Sequence, residues 1–176
     1  MSNIDSFLKG LDPVYEDTVD WPNDVQLCAH CYITLLTPPA EFVSSVRAVV
    51  VRGREVLVVT NPNINHILPG GRVEPKESHE TALRRELIEE TGWKIDRIEP
   101  IGFLHYRHLT PKPPDYQYPY PDFIQRVYTA TAVRLTNQKL DDDWEEESRW
   151  VDIRAASDLD MPEVSLTYLN HLIERS

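Results

Sequence analysis

No stretch limits what this chain can fold into as tightly as Gly71 to Trp93, GRVEPKESHETALRRELIEETGW. From Ser78 to Thr91 it reads as an α-helix. Ser78 is an N-cap, Glu80 lies in the first turn near the positive end of the helix dipole, and Gly92 is a stop. The capping box is incomplete, because Thr81 stands where Glu or Gln would reach back. Leu83 and Leu87 form an apolar stripe able to hold the helix against a sheet. Glu86, Glu89 and Glu90 are related by steps of three and four, so their carboxylates leave the helix on one face.

Such clustering weakens a helix, since each like-charged pair at this spacing costs roughly 0.2–0.5 kcal/mol. A hard divalent cation removes the conflict: Mg²⁺ prefers oxygen ligands and completes its octahedron with water and substrate phosphates. Arg85 adds a fixed positive charge that can orient a neighbouring carboxylate through a forked hydrogen bond. A solvated acidic face is the commoner meaning of two or three Glu on a helix. Here the spacing argues otherwise, because matching the fixed Gly, Glu and Arg positions by chance has a probability on the order of 10⁻⁸ per window.

Those positions are Gly71, Glu77, Arg85, Glu86, Glu89, Glu90 and Gly92, with apolar Leu87 and Trp93 between and after them. The pattern resembles the full signature of the Nudix hydrolases. The resemblance implies an α/β protein of the Nudix fold, an α/β/α sandwich around a mixed β-sheet, over residues 45–176. It leaves residues 1–44 as an N-terminal extension that packs on the core or on a partner subunit, and it admits a homodimer formed through that arm. It also implies Mg²⁺-dependent hydrolysis (Mn²⁺ being a substitute) of a pyrophosphate bond in a nucleoside diphosphate linked to another group. Glu86, Glu89 and Glu90, with the Gly70 carbonyl, would hold the metal, and Arg85 would order them. Glu89 or Glu147 would take a proton from water, with Glu145 and Glu146 as rivals to Glu147. Two other readings share the fold: a catalytically silent nucleotide sensor and a diphosphate isomerase. Sensors commonly lose signature residues and isomerases need a Cys at the pocket; here the signature is intact and both cysteines precede residue 45.

Upstream of the helix, Ile4, Phe7, Leu8 and Leu11 suggest a short amphipathic helix ended by Pro13, and Asp20-Trp21-Pro22 a turn. Cys28 and Cys31 form a C-x-x-C, but a zinc site lacks two further ligands and a redox pair lacks its own fold, so buried free thiols are expected. SVRAVVVRGREVLVVTN predicts two strands around Arg52-Gly53-Arg54. Pro69-Gly70-Gly71 must then be a sharp loop. His66 stands where the family often has Trp, so it is a candidate for substrate contact or proton transfer, against a purely structural role.

After the helix, a short strand and a second through Phe103–Tyr106 lead to TPKPPDYQYPYPD, too rich in proline for helix or regular strand. Its tyrosines suggest a lip beside the site, able to stack on a flat group, or a rigid surface loop. FIQRVYTATAVRL predicts a strand with Phe123, Gln125 and Val127 on one face and Arg126 and Tyr128 on the other. Tyr116, Tyr118, Tyr120 and Phe123 are candidates for an aromatic clamp, and Arg47, Arg72 and Arg126 for phosphate contacts. Asp160-Met161-Pro162 opens a closing helix with Pro162 in its first turn and Leu166, Leu169, Leu172 and Ile173 as its apolar face.

The formal charge of −11 argues against a nucleic-acid polymer as partner but not against a small nucleotide derivative bridged through metal. No run approaches the length of a membrane span and the N-terminus has no basic, apolar leader, so a cytoplasmic protein that binds no membrane is expected.

Overall fold

The computed structural model describes residues 3–61, 64–136 and 147–175. In chain order these form α1 (Asn3–Leu8), β1 (Tyr15–Trp21), β2 (Val25–Ile33), β3 (Val43–Arg52), β4 (Glu55–Asn61), β5 (Ile64–His66), α2 (His79–Thr91), β6 (Trp93–His108), β7 (Asp122–Leu135), β8 (Glu147–Asp152) and α3 (Glu163–Glu174). The strands described make one mixed sheet in the order β1-β2-β6-β7-β3-β4-β5, with β8 paired to β4. Only the β3–β7 ladder is parallel among the described residues. β3 is covered on both faces, which is why Ala48, Val49 and Val50 form a continuous apolar run, fully buried as Val46 is beyond Arg47.

Helices close the two faces. On one, Ala82, Leu83 and Leu87 of α2 pack against Val46, Ala48, Val50 and Leu57. On the other, Tyr168 and Leu169 of α3 pack with Leu27, Val49, Phe123 and Val127. Burying a Leu side chain contributes about 1.5–3 kcal/mol, so Leu83 and Leu87 outweigh the repulsion among the helix glutamates. α1 seats Ile4 against Tyr32, Phe103 and Ile124.

Two expectations change, and Tyr168 joins the expected apolar face of Leu166, Leu169, Leu172 and Ile173. β6 is one strand from Trp93 to His108, not two, because register shifts after Lys94, Asp96 and Pro100 bend it without ending it. Pro162 is the N-cap of α3 and not a first-turn residue; its ψ of 141° is extended. The apolar anchor of α3 is Tyr168, fully buried with its hydroxyl donating to the Tyr32 carbonyl at 3.2 Å. The N-terminal strands enter the same sheet: β2 pairs with β6 from Leu27↔His108 to Ile33↔Gly102. Along β2, Cys31 points into the core while Cys28 lies on the opposite face beside His30, so both thiols are free. Burial pushes the Cys31 thiol up to about 11. No described helix is long and apolar enough to cross a membrane.

Candidate active site

Helix α2 begins and ends where its sequence dictates. Ser78 Oγ accepts from Thr81 N at 3.1 Å, and Gly92 closes the helix in the left-handed region at φ 74°. The preceding loop is laid along β3 by backbone bonds: Ala48 N donates to Pro69 O at 3.0 Å, Val46 N to Gly71 O at 2.9 Å, and Val73 N to Ser44 O at 3.1 Å. That approach needs glycines. At Gly70, φ is +135° and a Cβ would strike the Val46 carbonyl; at Gly71 a Cβ would overlap the Glu86 carboxylate.

Arg85 is the hub of the helix face. Its Nε and Nη2 fork onto both Glu77 oxygens at 3.1 and 2.9 Å. Nη1 donates to Glu86 Oε1 at 2.8 Å and Glu89 Oε2 at 3.2 Å, and Nη2 also reaches the Arg72 carbonyl at 3.0 Å. The fork from Arg85 holds the Glu77 carboxyl below its usual range, and Glu77 in turn raises the guanidinium further. Glu90 faces the loop, where its Oε2 accepts from Gly70 N at 2.7 Å. The Gly70 carbonyl accepts from Arg47 Nη1. One residue, Gly70, thus joins the acidic helix to a basic side chain of β3.

Oxygen alone is on offer here: the carboxylates of Glu86, Glu89 and Glu90 and the Gly70 carbonyl, the donor chemistry of a hard divalent ion. The bare Cα of Gly71 leaves the Glu86 carboxylate room against the loop. These residues fit such a cation in kind. Among the described residues no three acidic, His or Cys side chains already converge on one point: Glu86 and Glu89 share Arg85 Nη1, while Glu90 is bonded to the Gly70 amide.

Beside this loop lies a cleft of about 150 Å³. Of the candidates, Arg47, Arg72, Tyr116, Tyr118 and Phe123 line it. The Arg72 guanidinium stacks over the Tyr118 ring at 4.5 Å and donates to its hydroxyl. Tyr120 turns away to donate to the Thr110 carbonyl at 3.1 Å and packs on His108. Arg126 is buried on the other face of β7, where it donates to the Leu36 carbonyl. His66 sits on β5; burial, helped by the charge of Arg47, pushes it down to about 4, so it is neutral at neutral pH and no proton donor there. Glu147 is exposed at the head of β8, opposite Thr60, while Glu145 and Glu146 lie outside the described residues. Sequence reasoning missed Trp21, Ser45 and Gln125 as cleft residues. The alternation Phe123, Gln125 was the one available signal for Gln125; nothing local marks the other two.

The model of the NUDIX domain matches residues 41–172, three-quarters of the chain. The chain belongs to the Nudix family. It is a Nudix-type hydrolase, of the class that acts on phosphorus-containing acid anhydrides. Solved structures agree on the Nudix fold. A mutant of the Bacillus subtilis pyrophosphohydrolase BsRppH superposes with a TM-score of 0.53 at 20% identity, covering 79% of this chain and 78% of that one. An ADP compounds hydrolase gives 0.54 at 12% identity over 93% and 92%. A MutT from work on Aliivibrio salmonicida and Vibrio cholerae gives 0.52 at 20% identity over 74% and 94%. No curated protein matched the chain.

Proposed function

We propose that this Nudix protein hydrolyses a pyrophosphate bond in a nucleoside diphosphate linked to a second group, with Mg²⁺, or Mn²⁺ in its place. The observation that carries this reading is the Arg85-centred array, in which Glu77, Glu86 and Glu89 share one guanidinium while Glu90 grips the Gly70 amide. Similarity to structures described as a pyrophosphohydrolase and an ADP compounds hydrolase supports the same substrate class.

Glu86, Glu90 and the Gly70 carbonyl are the groups that would hold the cation. Bound there, Mg²⁺ supplies charge neutralisation on the pyrophosphate and a more acidic water. The protein supplies the rest. Arg85 fixes the carboxylates in rank, as forked guanidinium bonds do. Arg47 and Arg72, at the loop's edge, bind phosphate oxygens. Glu89 accepts the proton of the attacking water, because its side chain is 35% exposed, against 14% for Glu86 and 12% for Glu77 among the Arg85-bonded carboxylates.

Glu90→Gln keeps a hydrogen-bond acceptor for Gly70 N and removes the charge. The expected result is an intact fold with turnover of ADP-ribose-like and dinucleoside polyphosphate substrates reduced by about a hundred-fold or more. Near wild-type turnover at saturating Mg²⁺ would refute the assignment.

A further inference from the structure

The cleft beside the Gly70 loop carries more than charge. Its floor is formed by two neighbouring strands, where Ser45 of β3 lies directly opposite Gln125 of β7 in the parallel register. Ser45 is 7% exposed, and its hydroxyl, shielded from solvent, has no hydrogen-bond partner among the described residues. A buried hydroxyl of that kind is costly to leave unmet and marks a place where something else bonds. Beside it Gln125 offers an amide donor and acceptor together, the pattern with which Gln pairs to the edge of adenine.

The walls are aromatic. Trp21, at the end of β1, packs on Tyr106 and Phe123 with ring centroids 5.7 and 5.6 Å apart. Tyr118, also lining the cleft, lies beneath the Arg72 guanidinium and against Tyr116 at 5.3 Å. Flat walls with a paired polar floor suit a planar heteroaromatic ring. The space of about 150 Å³ suits one ring system, well short of the ~300–1,000 Å³ of pockets that enclose a whole drug-sized ligand.

We propose that this cleft seats the nucleobase of the substrate, with Ser45 and Gln125 reading its edge and Trp21, from the N-terminal segment, closing one wall. The inference rests on the proposed nucleotide substrate and assigns its base. Arg47 and Arg72 line the cleft and also touch the loop, through Gly70 and Arg85, so a base seated here points its phosphates at α2. The N-terminal strands then determine specificity as well as completing the sheet.

The test is calorimetric titration in EDTA, where no hydrolysis occurs, of AMP, GMP, CMP and UMP against ribose 5-phosphate. At least one monophosphate is expected to bind ten-fold or more tighter than ribose 5-phosphate. Gln125→Ala and Trp21→Ala should each shrink that gap at least five-fold, and Trp21→Phe, which keeps a stacking ring, should restore most of it. Circular dichroism checks that each variant folds; should Trp21→Ala unfold, Gln125→Ala and Trp21→Phe carry the test. Equal binding of all four monophosphates and ribose 5-phosphate, or a gap untouched in the folded variants, would overturn the base seat. If wild-type protein still cleaves pyrophosphates in that event, the hydrolase reading stands alone. If Glu90→Gln disproves hydrolysis while the base gap persists, the seat stands as a nucleotide-binding site.

Discussion

The helix face and the cleft beside it share a loop but are built in different ways. The face comes from one continuous stretch: Glu77 to Glu90, an N-cap at Ser78, a stop at Gly92, and a guanidinium that bonds Glu77, Glu86 and Glu89 within the same segment. The cleft draws Trp21 from β1, Ser45 and Arg47 from β3, Tyr118 from a proline-rich loop and Gln125 from β7. On the proposed reading, reaction chemistry is encoded locally, where helical spacing sets geometry. Ligand choice would then be encoded by long-range packing, over a separation of about a hundred residues between Trp21 and Tyr118. A substitution on the helix should change rate; one in the cleft should change preference.

Arg85→Lys presses hardest on that division. Lysine keeps the charge but cannot fork onto Glu77 while holding Glu86 and Glu89. Turnover should fall about ten- to hundred-fold with the ranking of substrates unchanged, as read from kcat/KM over a panel of nucleotide derivatives. A changed ranking would merge the two regions into one.

Gly71→Ala is subtler. Its Cβ meets the flexible end of Glu86 and no backbone, so the fold should hold while the carboxylate is displaced. A loss of about ten-fold in kcat, with the urea midpoint little moved, is expected from steady-state kinetics and equilibrium unfolding.

His66 gives the smallest effect, on stability. Its folded value, about 4, lies below the ordinary 6.5, so the unfolded chain binds the extra proton between those values. Stability is fully present above pH 6.5 and is lost as pH falls toward 4. From pH 7 to 5 the loss from this residue is about 2 kcal/mol by linkage arithmetic. His66→Asn should flatten the decline by about that amount in urea unfolding at the two pH values, and an unchanged slope would show that His66 is not buried beside Arg47.

This asymmetry also explains what could be read before any coordinates. The helix from Ser78 to Gly92, the β3–β4 hairpin about Gly53 and the buried Leu83–Leu87 stripe follow from local rules of capping, turn chemistry and period. Arg126 shows the limit. Alternation put it opposite Gln125, but only tertiary packing decides that Arg126 itself is buried and bonded to the Leu36 carbonyl. The same holds for His66, whose neutrality comes from burial and the approach of Arg47. Tyr118 and Tyr120 are chemically alike and two residues apart, yet one stacks under Arg72 and the other bonds the Thr110 carbonyl. In an irregular, proline-rich loop no period predicts which way each ring turns.

On the proposed reading, one face of α2 grips a divalent cation. Titration of Mn²⁺ followed by electron paramagnetic resonance, in which the free ion's signal falls as it binds, measures this without turnover. Wild-type protein should deplete the free signal, and the folded Glu86→Gln/Glu90→Gln variant should bind at least ten-fold more weakly. Equal affinity in the two proteins would rule out a cation held by these glutamates.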